Sequence, residues 1–133
     1  MKTLAEEFDD FIAKVKKADA YDDEAVDVMR QTFFGGAYVV LVICKENNVD
    51  HLRRLTQDPL GEFPRGLVRT FLEDYLNVAP DKTAISLAML GVAHTCLILK
   101  NLDQRAMQIS IEQVGQIFPQ FMHRAHPRQE GHG

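Results

Sequence analysis

The sequence predicts an all-α protein: a compact single domain of five to six helices with two apolar helices at its centre. Three observations support this prediction. Hydrophobic residues recur at spacings of three and four, two long uncharged stretches are apolar on every side, and helix-capping residues stand at the boundaries. A chain of 133 residues can bury one ordinary core. We therefore expect one helical domain over residues 1–125 and a flexible polar tail over residues 126–133.

The first two helices are predicted from their periodicity and their caps. The first spans about Leu4–Lys17, where Thr3 and Glu6 form a capping box. The second runs from about Asp23 to Glu46, and its second half is apolar on every side, which is typical of a central helix. The β-branched run over residues 39–43 is also compatible with a strand. The length and the unbroken register from Asp23 favour a helix.

The middle of the chain is predicted to hold two shorter helices around a loop. The first covers about Val49–Thr56, and a stretch rich in proline and glycine follows it. Pro64 suits the first position of a helix, so the second is expected over about Arg65–Leu76. Asn77 is expected to end it.

Two more helices are predicted in the last third of the chain. Asp81 is an N-cap for the second central helix, at about Lys82–Lys100. The sequence Ser110-Ile111-Glu112-Gln113 has the pattern of a capping box and is expected to open the last helix. Pro119 should kink or end that helix, because proline lacks the backbone N–H and clashes with the preceding turn.

Small residues predict that the two central helices cross closely. Gly35 and Gly36 stand inside the second helix, where each costs about 1 kcal/mol relative to alanine. Ala84, Ala88, Gly91 and Thr95 form a matching narrow stripe on the fifth helix. Close packing is the main interpretation, and a homodimer seam or a ligand pocket are the alternatives. The residues of that crossing or pocket are Gly35, Gly36, Tyr38, Gly91 and His94.

Acidic residues are concentrated near the start of the chain. Residues 1–27 hold nine Asp and Glu against four Lys, whereas the whole chain has a net charge of −4. This balance argues against binding to nucleic acid or to an anionic membrane, since both need clustered positive charge. Most such runs are solvated helix faces. The functional interpretation is an acidic face that docks onto a protein partner. Its candidate contact residues are Glu6, Asp9, Asp10, Asp22 and Asp23.

No catalytic, metal or cofactor motif is found in the sequence. There is no glycine-rich phosphate loop and no nucleophile elbow. His94 is expected to be a hydrogen-bonded core residue, and residues two apart on a helix diverge, so it cannot activate Cys96. His123 and His126 have no cysteine or carboxylate at ligand spacing, so we expect no metal site. An enzyme of unrecognised chemistry around His94 or Tyr38 is kept as an alternative.

The chain is expected to lie in the cytoplasm and not in a membrane. Its start lacks the apolar core of a secretory signal. The two longest uncharged stretches, residues 31–44 and 83–99, are at or below the length that spans a bilayer. Both are interpreted as buried helices, in which Cys44 and Cys96 act as small hydrophobic residues of a reducing compartment.

The segment Met29–Ala37, which reads Met-Arg-Gln-Thr-Phe-Phe-Gly-Gly-Ala, resembles a helix of short, uncharacterised phage and prophage accessory proteins. Their pattern is an arginine, two residues, a phenylalanine, an aromatic residue and then small residues. The resemblance covers nine of the 133 residues and brings no catalytic residues. It implies a small accessory protein of a mobile element that binds and blocks a host or defence component.

The leading hypothesis is therefore a small non-catalytic helical protein that binds another macromolecule, such as a phage-type accessory or anti-defence inhibitor. A homo-oligomeric module that regulates or binds a small ligand is the first alternative. An enzyme of unrecognised chemistry is the second.

Overall fold

The computed structural model describes residues 1–18 and 21–123, and over these residues the chain is all-α with no strand. The expectation of a helix over residues 39–43 is thus confirmed. The predicted flexible tail, residues 126–133, lies outside the described residues. Six helices of nine residues or more are followed by a single turn, α7. They are α1 (Leu4–Ala18), α2 (Asp23–Glu46), α3 (Val49–Gln57), α4 (Glu62–Phe71), α5 (Lys82–Lys100), α6 (Gln104–Ile117) and α7 (Gln120–His123).

The apolar helices α2 and α5 form the centre, as the sequence predicts, and the contact between them is the most extensive in the molecule. The two helices run parallel: Val28 lines a groove with Ser86 near their beginnings, and Cys44 approaches Cys96 near their ends. A parallel pair needs a long connection. Residues 47–81 supply it, and α3 and α4 within this segment pack on the central pair, while α1 and α6 also pack against it.

Two hydrophobic clusters fill the space around the central pair. The first is rich in aromatic residues and joins α1, α2 and α6 with Leu87 of α5; in it the rings of Phe8 and Phe33 lie with their centroids 5.4 Å apart. The second is mostly aliphatic and joins α2, α3, α4 and α5 around Val40, Leu55 and Val92. α2 and α5 contribute to both clusters, so the central pair lies between them.

The boundaries of α4 differ from the prediction. α4 begins at Glu62, which makes Pro64 its third residue and not its first. Proline is tolerated there because the first four N–H groups of a helix have no partner within the helix. A π-helical turn, Leu72–Leu76, continues α4, and Asn77 ends it in the left-handed conformation with φ 53°. The end at Asn77 confirms the prediction.

The start of α6 is a second correction. α6 begins at Gln104, where the side chain of Asp103 accepts a hydrogen bond from the N–H of Ala106 at 3.0 Å. Ser110 is therefore inside the helix and not at its start. The capping-box interpretation of residues 110–113 was wrong, although Phe118 and Pro119 do end the helix as expected.

Ser110 nevertheless contributes to a cap, on a different helix. Its hydroxyl accepts a hydrogen bond from the N–H of Leu4 at 3.2 Å, and Gln113 accepts one from the N–H of Ala5 at 3.1 Å. Both N–H groups belong to the first turn of α1, which has no internal acceptors for them. Two polar residues of α6 thus anchor the beginning of α1, more than 100 residues away in sequence.

Candidate functional site

Helix α5 is less completely covered than its apolar sequence would suggest. By length and composition, α2 and α5 are both apolar enough to cross a membrane, a test that the core helix of a soluble protein also passes. In the most apolar stretch of α2, 67% of the residues are buried, against 50% in α5. α5 therefore keeps apolar side chains at the surface of the described structure.

These side chains form one stripe, which we call the outer face of α5 and define as Ser86, Leu90, Ala93 and Leu97. Their spacings of four, three and four place them on a single side of the helix. Leu90 is 45% exposed and Leu97 is 46% exposed. Scattered exposed leucines need no explanation, but two that are one heptad apart on one helix side form a continuous apolar ridge.

A groove lies on each side of this ridge. The first has a volume of about 610 Å³ and separates the beginning of α5 from the beginning of α2, with Val28 and Leu90 in its lining. The second, of about 720 Å³, lies between the end of α5 and the α3–α4 connection, where Leu60 and Leu97 contribute. Val28 and Leu60 are themselves exposed, so the apolar surface extends beyond the ridge on both sides.

Among the described residues that line the two grooves, the charged ones lie near the beginning and the end of α5. Asp81 and Lys82 line the first groove at the beginning of α5, and Asp58 and Lys100 line the second groove at its end. Asp81 also caps α5, because its side chain accepts a hydrogen bond from the N–H of Ala84 at 2.8 Å. Each end thus carries one acid and one base around an uncharged ridge.

The opposite side of α5 is packed backbone to backbone. A Cβ atom on Gly36 would lie 1.9 Å from the carbonyl oxygen of Ala88, and one on Gly91 would lie 2.0 Å from that of Phe33. The predicted close crossing is confirmed at these two glycines. A ligand pocket, the alternative interpretation, does not fit at Gly36 and Gly91, because backbone atoms occupy the space beside both glycines.

Gly35 requires a correction. A Cβ atom on Gly35 would meet the ring of Phe71 at 2.8 Å, so this glycine faces the end of α4 and not the small-residue stripe of α5. Gly35 and Gly36 are adjacent, and consecutive helical positions point about 100° apart. They therefore make room for two different neighbours.

His94 and Tyr38 both have structural surroundings. The Nε2 atom of His94 donates a hydrogen bond to the carbonyl oxygen of Lys2 at 2.7 Å, since a carbonyl can only accept. This confirms the prediction of a hydrogen-bonded core histidine. The ring of Tyr38 packs against Phe71 and Phe118, with centroids 5.1 and 5.2 Å away. Neither residue lines the two grooves.

The predicted acidic face is exposed, but much of it serves the local structure. Glu6 closes the capping box at the start of α1, and Asp22 caps α2. Asp10 pairs with Lys2, and the hydrogen bond from Lys2 holds the pKa of the Asp10 carboxyl below its usual value. The five exposed acids of this face are Glu6, Asp9, Asp10, Asp22 and Asp23.

Cys96 lines the second groove, and its surroundings keep it protonated. Burial, reinforced by the nearby Cys44, raises the pKa of the Cys96 thiol from 9.0 to about 11. Because the thiolate is the nucleophile, a thiol with such a pKa reacts slowly at neutral pH. The described residues also contain no group of three His, Cys, Asp or Glu that could hold a metal ion.

The outer face of α5 is the feature that the sequence interpretation missed. The sequence did contain a signal for it. A helix that is apolar on every side needs neighbours on every side, and the other helices leave α5 partly uncovered. Comparisons of the chain with protein-family models, with curated proteins and with solved structures find no match. The geometry of the outer face alone therefore carries the functional argument.

Proposed function

We propose that this chain is a small non-catalytic helical protein that acts by binding another protein through the outer face of α5. The observation that carries the proposal is the exposed ridge of Leu90 and Leu97 between two apolar grooves. A contiguous apolar patch with charged residues at its border is typical of a protein-binding surface.

The energetics of this surface favour a covered state. Full burial of a leucine side chain is worth about 1.5–3 kcal/mol, so covering the exposed half of Leu90 or of Leu97 contributes about 1 kcal/mol each. The grooves add area on both sides of the ridge, where side chains of a partner can insert. Because the backbone of α5 is held by α2, binding orders only the leucine side chains and not the helix that carries them.

The surroundings of His94, Tyr38 and Cys96 favour a binding role over a catalytic one. The His94 ring is held by the Lys2 carbonyl, the Tyr38 ring is packed among aromatic residues, and the Cys96 thiol is kept protonated. The acidic face fits this function as a steering surface, since exposed charges speed encounter more than they hold a complex. The phage-type relationship and the cytoplasmic location stay predictions.

The proposal is tested by affinity capture with matched variants. The tagged chain is compared with the double variant Leu90→Ser and Leu97→Ser, and with Val49→Ser as the control. Val49 is 64% exposed on α3 and lines neither groove. A protein retained by the parent and by the control should be retained at least tenfold less by the double variant, a difference of about 1.4 kcal/mol.

Equal retention by a folded double variant would contradict the proposal. A second set of charge reversals, Asp9→Lys and Asp23→Lys, separates the two candidate surfaces. If the charge reversals abolish capture while the leucine double variant still captures the partner, the acidic face and not the outer face of α5 holds that partner. Circular dichroism of each variant checks that the helices are intact.

A further inference from the structure

We infer that the occupant of the outer face of α5 is a second copy of this chain, packed antiparallel about a two-fold axis beside Ala93. The inference rests on the proposed function, in which the outer face is a binding surface, and it names the partner. Closed two-fold dimers are the commonest protein assemblies, and they need a surface that is complementary to itself. The outer face meets that requirement in its register, its charges and its size.

The register of the stripe is self-complementary. An antiparallel copy centred beside Ala93 places Leu90 against Leu97 of the second copy, and Leu97 against its Leu90. The small side chain at the centre lets the two helices approach closely at the crossing. Toward the ends the same symmetry sets Ser86 opposite Asn101 of the second copy, so polar residues meet polar residues. No apolar residue of the ridge is left facing a charge.

The charges at the ends are complementary in the same orientation. An antiparallel copy brings the end that carries Asp81 and Lys82 to the end that carries Asp58 and Lys100 of the second copy. Each lysine then has a carboxylate of the other copy on the facing end. These four charges sum to zero in each copy, although each chain has a net charge of −4. Because both ends carry one acid and one base, the charges permit the antiparallel pairing without selecting it over a parallel one, and the register of the leucines sets the orientation.

The area is at the lower end of what a specific dimer needs. A 19-residue helix is about 28 Å long, and neighbouring helix axes lie about 8–10 Å apart, so α5 with the near half of a helix on each side is about 16–20 Å wide. The strip therefore measures about 500 Å² on each partner, or about 1,000 Å² in total. Specific interfaces begin at about that total and standard ones bury about 1,600 Å², so we expect a dimer of modest affinity.

Sedimentation equilibrium of the full chain, from micromolar to submillimolar concentration, tests the inference. We expect a dimer for the parent and for the control Val49→Glu. The variants Leu90→Glu and Leu97→Glu should each raise the dissociation constant at least tenfold, because each places two carboxylates in the apolar interface. If a glutamate variant fails to fold, the milder Leu90→Ser and Leu97→Ser pair provides the same comparison.

A cysteine placed at the axis tests the geometry directly. Ala93→Cys should form a disulfide-linked dimer when copper phenanthroline is added as the oxidant, with two thiols losing two protons and two electrons. Thr83→Cys should not, because antiparallel packing puts the two copies of residue 83 at opposite ends. The parent, in which Cys44 and Cys96 are both partly buried, measures the background.

A parent chain that is monomeric at every concentration, or equal cross-linking of Ala93→Cys and Thr83→Cys, would overturn the inference. The proposed function has a separate outcome. If the chain is monomeric but captures a different protein through Leu90 and Leu97, the proposed function stands, and that protein replaces the second copy as the occupant. A monomer that instead binds phosphatidylglycerol vesicles, with loss of binding in Leu97→Glu, would contradict both.

Discussion

The two sides of α5 are both uncharged, yet they have opposite environments. On the inner side, Gly91 lies so close to α2 that a single added carbon would overlap the carbonyl oxygen of Phe33. On the outer side, Leu90 and Leu97 keep nearly half of their surface in solvent. The difference shows that hydrophobicity alone does not say where a central helix is covered. The size of the residues indicates the covered side, since small residues mark the side on which a neighbouring backbone approaches.

The largest expected effect is on the inner side. Gly91→Ala and Gly36→Ala should each lower the free energy of unfolding by about 3 kcal/mol or more, because the new methyl group meets rigid backbone and forces α2 and α5 apart. The gain in helix propensity, about 1 kcal/mol, is too small to offset this. Urea denaturation measures the change.

Gly35→Ala is the matched control for this crossing. Its methyl group meets the ring of Phe71, a side chain that can shift, so the loss should be clearly smaller. If Gly91→Ala instead unfolds at the same urea concentration as the parent, the two central helices are not in backbone contact, and the comparison between the sides of α5 fails.

A second contrast concerns two serines. Ser110→Ala removes the acceptor for the buried N–H of Leu4 and should cost about 1–2 kcal/mol of stability, the usual penalty for a buried donor without a partner. Ser86→Ala, on the outer face of α5, should change stability by less than about 0.5 kcal/mol. Thermal unfolding followed by circular dichroism compares them, and equal losses would show that the anchor of α1 is not important.

The outer leucines are expected to matter little for folding of the single chain. At a concentration where the chain is monomeric, Leu90→Ser should lower the free energy of unfolding by about 1 kcal/mol or less, since the side chain is only half buried. A loss near that of Gly91→Ala would mean that Leu90 belongs to the core. The same urea titration as for the glycine variants makes the two values comparable.

One substitution should have the opposite sign. Gly66 is exposed on α4, and a Cβ atom there would have no heavy atom within 4 Å. Gly66→Ala should therefore stabilise the fold by about 0.5–1 kcal/mol through helix propensity. The same substitution thus destabilises at Gly36 and stabilises at Gly66. A destabilised Gly66→Ala variant would show that this side of α4 is covered.

Several features of the fold could be predicted from neighbouring residues. Asp81 caps α5 as expected, and Pro119 follows the end of α6. The start of α6 could not be placed correctly, because Ser110 and Gln113 have the pattern of a local cap but serve α1. Nothing near residue 110 in the sequence indicates that its partner is Leu4, since that contact depends on how α1 packs against α6.

By itself, the sequence determined the helices, most of their ends and the use of glycine where α2 meets α5. These depend on spacing, on capping side chains and on residue size, all of which act over a few positions. Only the tertiary structure decided that Gly35 faces α4 and that Leu90 and Leu97 stay uncovered. A helix that is apolar on every side carries no preferred direction in its pattern. Which side is left open depends on how the remaining helices fit around it.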